Sequence, residues 1–161
     1  MPHQIRDFQI NDIESVNKVA LLAFSQYKNS YTDWPTLSKK IANMASLAEQ
    51  SELRVAIVDG IITGAVAYVA PGKPKDFFPA EWAVIRMLVV DPNYRGLGIG
   101  KALTTDCLQR ALRDTAPLIG LHTSPIMKIA LQMYLRMGFR FTQKVTPIHG
   151  VPYNIYVKRF D

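Results

Sequence analysis

The stretch whose residue types and spacing bear most on chemistry is Met87-Leu88-Val89-Val90-Asp91-Pro92-Asn93-Tyr94-Arg95-Gly96-Leu97-Gly98-Ile99-Gly100-Lys101. A β-rich run enters a glycine-rich turn, and the turn opens a helical pattern. Glycines at the alternate positions 96, 98 and 100 let the backbone approach a ligand with no Cβ atoms in the way. Successive N–H groups then converge on one spot, and the helix N-terminus adds about half a positive charge. Arg95 and Lys101 place two cations at its mouth, an arrangement suited to a phosphate or pyrophosphate. Two familiar phosphate sites do not fit. A P-loop requires Gly-Lys followed by Ser or Thr, with a glycine five residues earlier. Here Ala102 follows Gly100-Lys101, and Arg95 occupies the earlier position. A dinucleotide fingerprint requires Gly-x-Gly-x-x-Gly, and Lys101 stands where its third glycine belongs. The competing reading is a tight strand-to-helix turn with no ligand, but such a turn does not require three alternate glycines flanked by Arg and Lys.

The elements around this turn follow from apolar periodicity. A weak alternation over 3–9 reads as a first strand. Ile13, Val16, Val19 and Ala23 recur at helical spacing behind Asn11-Asp12, which predicts a capped helix over about 12–28. A second helix is expected over about 35–50. The runs 53–58 and 61–69 flank Asp59-Gly60, the signature of a β-hairpin with a type I′ turn. The segment 82–90 is apolar except for Arg86, as in a strand covered on both faces. Helices follow over 98–114 and 126–137, with Gly138 suited to end the latter. Short strands follow over 117–123, 139–145 and 153–160, with a loop at Pro147, Gly150 and Pro152 between the last two. The order β, α, α, β, β, β, α, β, α, β, β predicts one mixed α/β domain over 1–161. It has antiparallel hairpins early and βαβ units later.

Once the elements are placed, the sequence resembles a known family. Arg95-Gly96-Leu97-Gly98-Ile99-Gly100 matches the (Gln/Arg)-x-x-Gly-x-(Gly/Ala) signature of the GNAT superfamily of acyl-CoA N-acyltransferases. Some 30 residues on, Ala130 to Phe139 resembles that family's second motif, Ala-x-x-x-Tyr-x-x-x-Gly-Phe. The resemblance implies a central, mostly antiparallel sheet of about seven strands flanked by about four helices. It implies that acetyl-CoA lies between two splayed parallel strands, here about 82–90 and 117–123. The pantetheine arm would pair with Leu88, Val89 and Val90. The pyrophosphate would rest on the segment Arg95, Gly96, Leu97, Gly98, Ile99, Gly100 and Lys101. Tyr134 would face the thioester sulfur.

The implied reaction fits these residue types. An amine attacks the acetyl carbonyl and a thiolate leaves. A phenol near pKa ~10 is protonated at neutral pH and can donate to a thiolate near ~8.5, so Tyr134 suits the general acid. A strand N–H at Leu88 or Val89 could stabilise the oxyanion. An alkyl amine near ~10.4 must lose a proton, at a cost of about 4–5 kcal/mol at pH 7, which favours a base or a desolvating pocket. Glu81, opening the strand that ends at the cofactor, is the expected base; a solvated carboxylate is the competing reading. Asp33 and Asp76 sit in loops that could border the acceptor site, with a surface charge as the competing reading for each, and His149 reads as an exposed loop residue. His122 could relay a proton or be a hydrogen-bonded strand histidine. The loops 27–35, 76–79 and 146–153 are expected to build an aromatic acceptor pocket, with Tyr31, Trp34, Phe78 and Tyr153 touching the substrate.

Composition narrows the alternatives. The 161 residues suit one domain, and 48% hydrophobic with 20% charged residues is ordinary for a globular chain. No apolar run reaches the ~20 residues of a membrane helix, and the N-terminus does not read as a secretion signal, so a cytoplasmic location is expected. The single Cys107 excludes an internal disulfide and a multi-thiolate metal site, and its place on a helical apolar stripe makes it a small buried hydrophobe. No metal is expected. The net charge of +6 asks for an anionic partner. No basic run with interleaved aromatics suggests a nucleic acid, and Arg95 and Lys101 give part of the excess a place beside acetyl-CoA. Lys39, Lys40, Lys158 and Arg159 read as solvated surface. The expected function is acetylation of a primary amine on a small molecule, with a homodimer suggested by the family. The alternatives are a CoA-binding module without catalysis and an enzyme acting on a protein or peptide amine.

Overall fold

The computed structural model describes residues 4–73 and 75–161. The start of the expected first strand, His3, lies outside them. The elements are β1 (Gln4–Asp7), α1 (Ile13–Ser25), α2 (Trp34–Ile41), β2 (Glu52–Val58), β3 (Ile61–Val69), β4 (Ala83–Val90), α3 (Ile99–Arg113), β5 (Leu118–Thr123), α4 (Lys128–Arg136), β6 (Arg140–Ile148) and β7 (Val151–Arg159). They build one seven-stranded sheet in the order β1-β2-β3-β4-β5-β7-β6. Only β4 and β5 run parallel; every other neighbouring pair is antiparallel.

Helices cover both faces. On one face α3 and α4 bury Leu103, Cys107 and Tyr134 against Ile85, Ile119 and Leu121. On the other, α1 and the 34–49 segment bury Val16, Ala20 and Met44 against Val55, Ala65 and Val89. The second face continues over β4, β5 and β7 under Phe78 and Trp82, which come from the β3–β4 connection.

Local chemistry accounts for the element ends. Asp59 and Gly60 both take positive φ, at 50° and 77°, as a type I′ turn requires, and Val58 pairs with Ile61 across it. Gly138 takes φ 98°, ending α4 with bonds from Gly138 N–H to Leu135 and from Phe139 N–H to Tyr134. The first helix is shorter than its periodicity suggests, because a 3₁₀ turn at Ile10–Asp12 precedes it and another follows at Lys28–Ser30. The second also ends early, at Ile41, and a 3₁₀ stretch at Met44–Glu49 continues its buried face. The expected Pro147–Pro152 loop is instead largely strand. β6 runs through Pro147 to Ile148, and only His149 and Gly150 turn before β7. Pro147 is tolerated because β6 is the outer strand, where a missing N–H breaks no central ladder.

Two features of β4 shape everything that follows. Ala67 pairs with Arg86 and Ala65 with Val89, so two steps along β3 match three along β4. This is a bulge, and Met87 within it takes φ 51°. The bulge reverses the alternation of side chains: Ala83 and Ile85 face α3, and beyond it Leu88 and Val90 do. The second feature is the short β4–β5 ladder, which pairs only Ala83 with Ile119 and Val84 with Gly120. Beyond these pairs the two parallel strands diverge.

Candidate active site

At the end of β4, where its ladder with β5 has stopped, lies a cleft of about 920 Å³. It is lined by the end of β4, the glycine turn and the start of α3, by α4, and by Ala23, Phe24, Gln26 and Tyr27 of α1 and the turn after it. Of the ten positions expected to hold a cofactor, all but Val89 and Leu97 line it. Val89 turns its side chain into the α1 layer and is 1% exposed. Leu97 packs on the α3 layer.

The glycine turn has the predicted shape with one refinement. Gly96 and Gly98 take φ of 78° and 77°, where an L side chain is strained, and a Cβ on either would meet nothing within 4 Å. Their missing side chains therefore leave space that opens toward the cleft. Gly100 lies inside α3, where a Cβ would make ordinary contact with Met133 at 3.7 Å and Val90 at 3.8 Å. The conformational demand thus falls on two glycines, not three. Gly98 caps α3, so the first N–H groups of that helix lack intrahelical partners and face a ligand space.

Four cations border the cleft: Arg95, Lys101, Arg136 and Lys158. Arg95 and Lys101 stand where the sequence predicts them, Arg136 carries no sequence signal, and Lys158 is expected on solvated surface. Lys158 instead comes over from β7 and abuts the end of α4, since a Cβ on Gly138 would lie 2.7 Å from its Nζ. No carboxylate lines the cleft, and none pairs with these four cations among the described residues. Arg95 donates to Gln26 Oε1, joining the glycine turn to the end of α1.

Tyr134 lies on α4 at 5% exposure, its ring edge-on to Phe139 at 5.6 Å. Its helix neighbours Ala130, Met133 and Met137 line the cleft, and its own side chain belongs to the core layer behind them. Burial, with Cys107 nearby, pushes its phenol well above the usual range, so it is protonated at any physiological pH. Cys107 is fully buried and its thiol is also pushed up, consistent with a packing role. Glu81 is exposed in the turn before β4, at the opposite end of that strand from the glycine turn, and does not line the cleft.

The aromatic residues expected around an acceptor divide into two groups, neither lining the cleft itself. Tyr31 and Tyr153 are buried together with their hydroxyls hydrogen-bonded, and Trp34 packs beside them with its ring 6.1 Å from Tyr31. Phe78 is buried against Val84 and Leu118. Between the groups stands His122, with ring centroids 5.4 Å from Phe77, 6.0 Å from Phe78 and 5.2 Å from Tyr153. Burial, then the positive charge of Arg86, lowers its pKa to about 4. Arg86 pairs with Asp76, Nη2 to Oδ2 at 2.9 Å. Asp33 is exposed at the start of α2. His149 Nδ1 lies 2.9 Å from the carbonyl of Thr32, tying the β6–β7 turn to the segment before α2. The sequence had also given no role to Lys75. It is 3% exposed, and its ammonium donates to the carbonyls of Lys73, Ala70 and Ala80 at 2.6, 2.8 and 3.1 Å. That clasp holds the loop that carries Asp76, Phe77 and Phe78.

Among the described residues, no group of three or more His, Cys, Asp or Glu is arranged to hold a metal ion. Nor is any helix long and apolar enough to cross a membrane.

A bulged β4 that parts from a parallel β5 beside a glycine turn and helix N-terminus is the architecture of an acyltransferase fold. Residues 16–139 match the acetyltransferase (GNAT) family model, and the chain belongs to that family. The fold is shared with the PaiA N-acetyltransferase of Thermoplasma acidophilum, solved in complex with coenzyme A, at a TM-score of 0.73 and 18% identity. That likeness covers 99% of this chain and 100% of the other. It is shared also with a GNAT-family acetyltransferase of Staphylococcus aureus Mu50, at a TM-score of 0.77 and 19% identity over 99% and 100% of the two chains. Among curated proteins, N-acetylaspartate synthetase of Xenopus tropicalis is 35% identical over 98 residues. The match takes in 61% of this chain and spans about a third, 34%, of that relative's length.

Proposed function

We propose that the protein transfers the acetyl group of acetyl-CoA to the primary amine of a small molecule by direct attack. The observation that carries this reading is the cleft: a glycine turn and helix N-terminus at its mouth, four cations around it, no acid within it, and the end of β4, beyond its last pair with β5, along its wall. The phosphates of CoA suit the N–H groups of 96–101 and the four cations. The pantetheine arm, an extended amide chain, suits the β4 edge that β5 leaves unpaired beyond Val84.

In the reaction the amine nitrogen forms a bond to the acetyl carbon, the carbon–sulfur bond breaks, and the amine loses one proton. A backbone N–H of the bulged strand, at Leu88 or Val89, stabilises the oxyanion. Tyr134 donates a hydrogen bond to the departing sulfur. Because burial raises its phenol, it stabilises the thiolate as a neutral donor, and the proton released by the amine completes the balance. Glu81 supplies no base in this scheme, since the length of β4 separates it from the cleft. The amine instead enters as the free base in a desolvated site. The likeness to N-acetylaspartate synthetase favours an amino acid among small amines.

The test is release of free thiol from acetyl-CoA with a panel of amino acids, polyamines and a peptide N-terminus, with the product identified by mass. Amine-dependent release with a small molecule is expected. Release with the peptide alone would move the acceptor to the protein class. CoA binding without release for any amine would make the chain a binding module.

A further inference from the structure

Arg86 and His122 occupy equivalent places on the two parted strands. The last β4–β5 pair is Val84 with Gly120, and each of these two residues lies two positions beyond it. Alternation puts both on the face of Val84 and Leu118, away from α3 and Tyr134. They thus meet where the strands begin to separate, on the side opposite the α3 layer. His122 Nδ1 is buried there with no hydrogen-bond partner, in a wall made by Phe77, Phe78 and Tyr153. An unmet buried polar atom is destabilising, and a ligand N–H would satisfy it. Arg86 is a cation on an otherwise apolar strand. Its one ion pair among the described residues is a single contact with Asp76, whose side chain is 64% exposed and whose backbone is left-handed. Most of the five guanidinium donors are left for a second, better partner.

A guanidinium beside an unpaired ring nitrogen offers donors to a carboxylate and an acceptor to an N–H. We infer that Arg86 and His122 seat an amino acid acceptor, Arg86 holding its carboxylate and His122 taking an N–H of its amine, with Asp76 as the resting partner of the guanidinium. This rests on the proposed acetyl transfer and narrows its substrate class to amines that carry a carboxylate. Phe77 and Phe78, on the segment that the Lys75 ammonium clasps, stand beside the His122 ring.

The experiment compares L-aspartate and L-alanine with L-alaninamide, at saturating acetyl-CoA, in the wild type, Arg86→Gln, Arg86→Lys and Asp76→Asn. The acids are expected to exceed the amide in kcat/KM by about tenfold or more, because the amide leaves the guanidinium unpaired. Arg86→Gln should remove that preference, chiefly through KM, with the KM for acetyl-CoA unchanged. Arg86→Lys should restore part of it, and Asp76→Asn should preserve it. Equal use of acids and amide by the wild type would overturn the inference while leaving acetyl transfer standing. So would an Arg86→Gln loss that falls equally on both. Should no amine be acetylated, the proposed function fails, and calorimetry of L-aspartate against the CoA-loaded protein decides the seat separately. Binding that Arg86→Gln abolishes would support it; no binding to the wild type would overturn it.

Discussion

His122 is the residue whose environment departs furthest from what its position in the sequence suggests. A strand histidine near a chain turn titrates near 6.5 when solvated, but burial and Arg86 lower this one to about 4. The folded state therefore stays neutral here while the unfolded chain takes up a proton as pH falls from 6.5 toward 4. The unfolded state binds more protons in that window, so stability falls with falling pH. Urea unfolding at stepped pH should show the wild type losing stability between 6.5 and 4 more steeply than His122→Gln, with the two running parallel above 7. Parallel curves throughout would contradict the assignment. Of the two sequence alternatives for this histidine, proton relay and hydrogen-bonded strand residue, the second finds no partner at Nδ1. Arg86, in contrast, registered in the sequence only as an interruption of an apolar run. One-dimensional periodicity cannot show that a bulge one residue later reverses the facing of β4 and leaves this cation at the divergence. The places of Tyr134 on α4 and of the glycine turn before α3 are legible because each is fixed by local spacing. Glu81, expected as a base, stands before β4 at the far end from the glycine turn, a placement that strand length and not spacing to Arg95 decides.

At the scale of elements, the last β4–β5 pair includes Gly120, whose missing side chain makes room for Trp82. A Cβ on Gly120 would lie 2.8 Å from Trp82 Cε3 and 3.8 Å from Phe78. Gly120→Ala should therefore push Trp82 outward, destabilise the fold by about 1–3 kcal/mol through overpacking, and loosen the 71–82 segment. Urea midpoints and the emission of Trp82 would report both effects. An unchanged midpoint would mean that the segment packs less tightly than described. Most elements were readable from the sequence, because apolar faces with period two or 3.6 mark β2, β3, α1 and α3 clearly. The failures share one cause. At the β6–β7 turn and after α2, Pro and short 3₁₀ turns interrupt the pattern, while tertiary packing carries the element onward. The same limit applies to the acceptor aromatics. Composition identified Tyr31, Trp34, Phe78 and Tyr153 as a group, but only the fold separates the Tyr31–Tyr153 pair from the Phe78–Trp82 cover.

Across the whole molecule, the excess of six positive charges is unevenly used. Away from the cleft, Arg54, Arg110 and Arg113 are tied to Asp106, Glu52 and Asp114, so they cancel locally. The cations around the cleft have no such acidic partners among the described residues. The field at the cleft is thus positive, and salt should weaken binding of a polyanion there. Raising ionic strength from about 50 to 500 mM should raise the KM for acetyl-CoA several-fold and leave that for the uncharged thioester S-acetyl-N-acetylcysteamine nearly unchanged. Equal salt effects on both would remove the electrostatic role of the four cations. The most direct test of the account as a whole is thiol release from acetyl-CoA with L-aspartate, in the wild type and Tyr134→Phe side by side, with acetyl-CoA binding measured on both. The wild type should release one thiol per amine acetylated. Tyr134→Phe should bind acetyl-CoA about equally and turn over roughly 100-fold more slowly, the low end for removing one hydrogen-bond donor from a developing anion, because a thiolate already leaves readily. Equal turnover by the two proteins, or no amine-dependent release by the wild type, would contradict it.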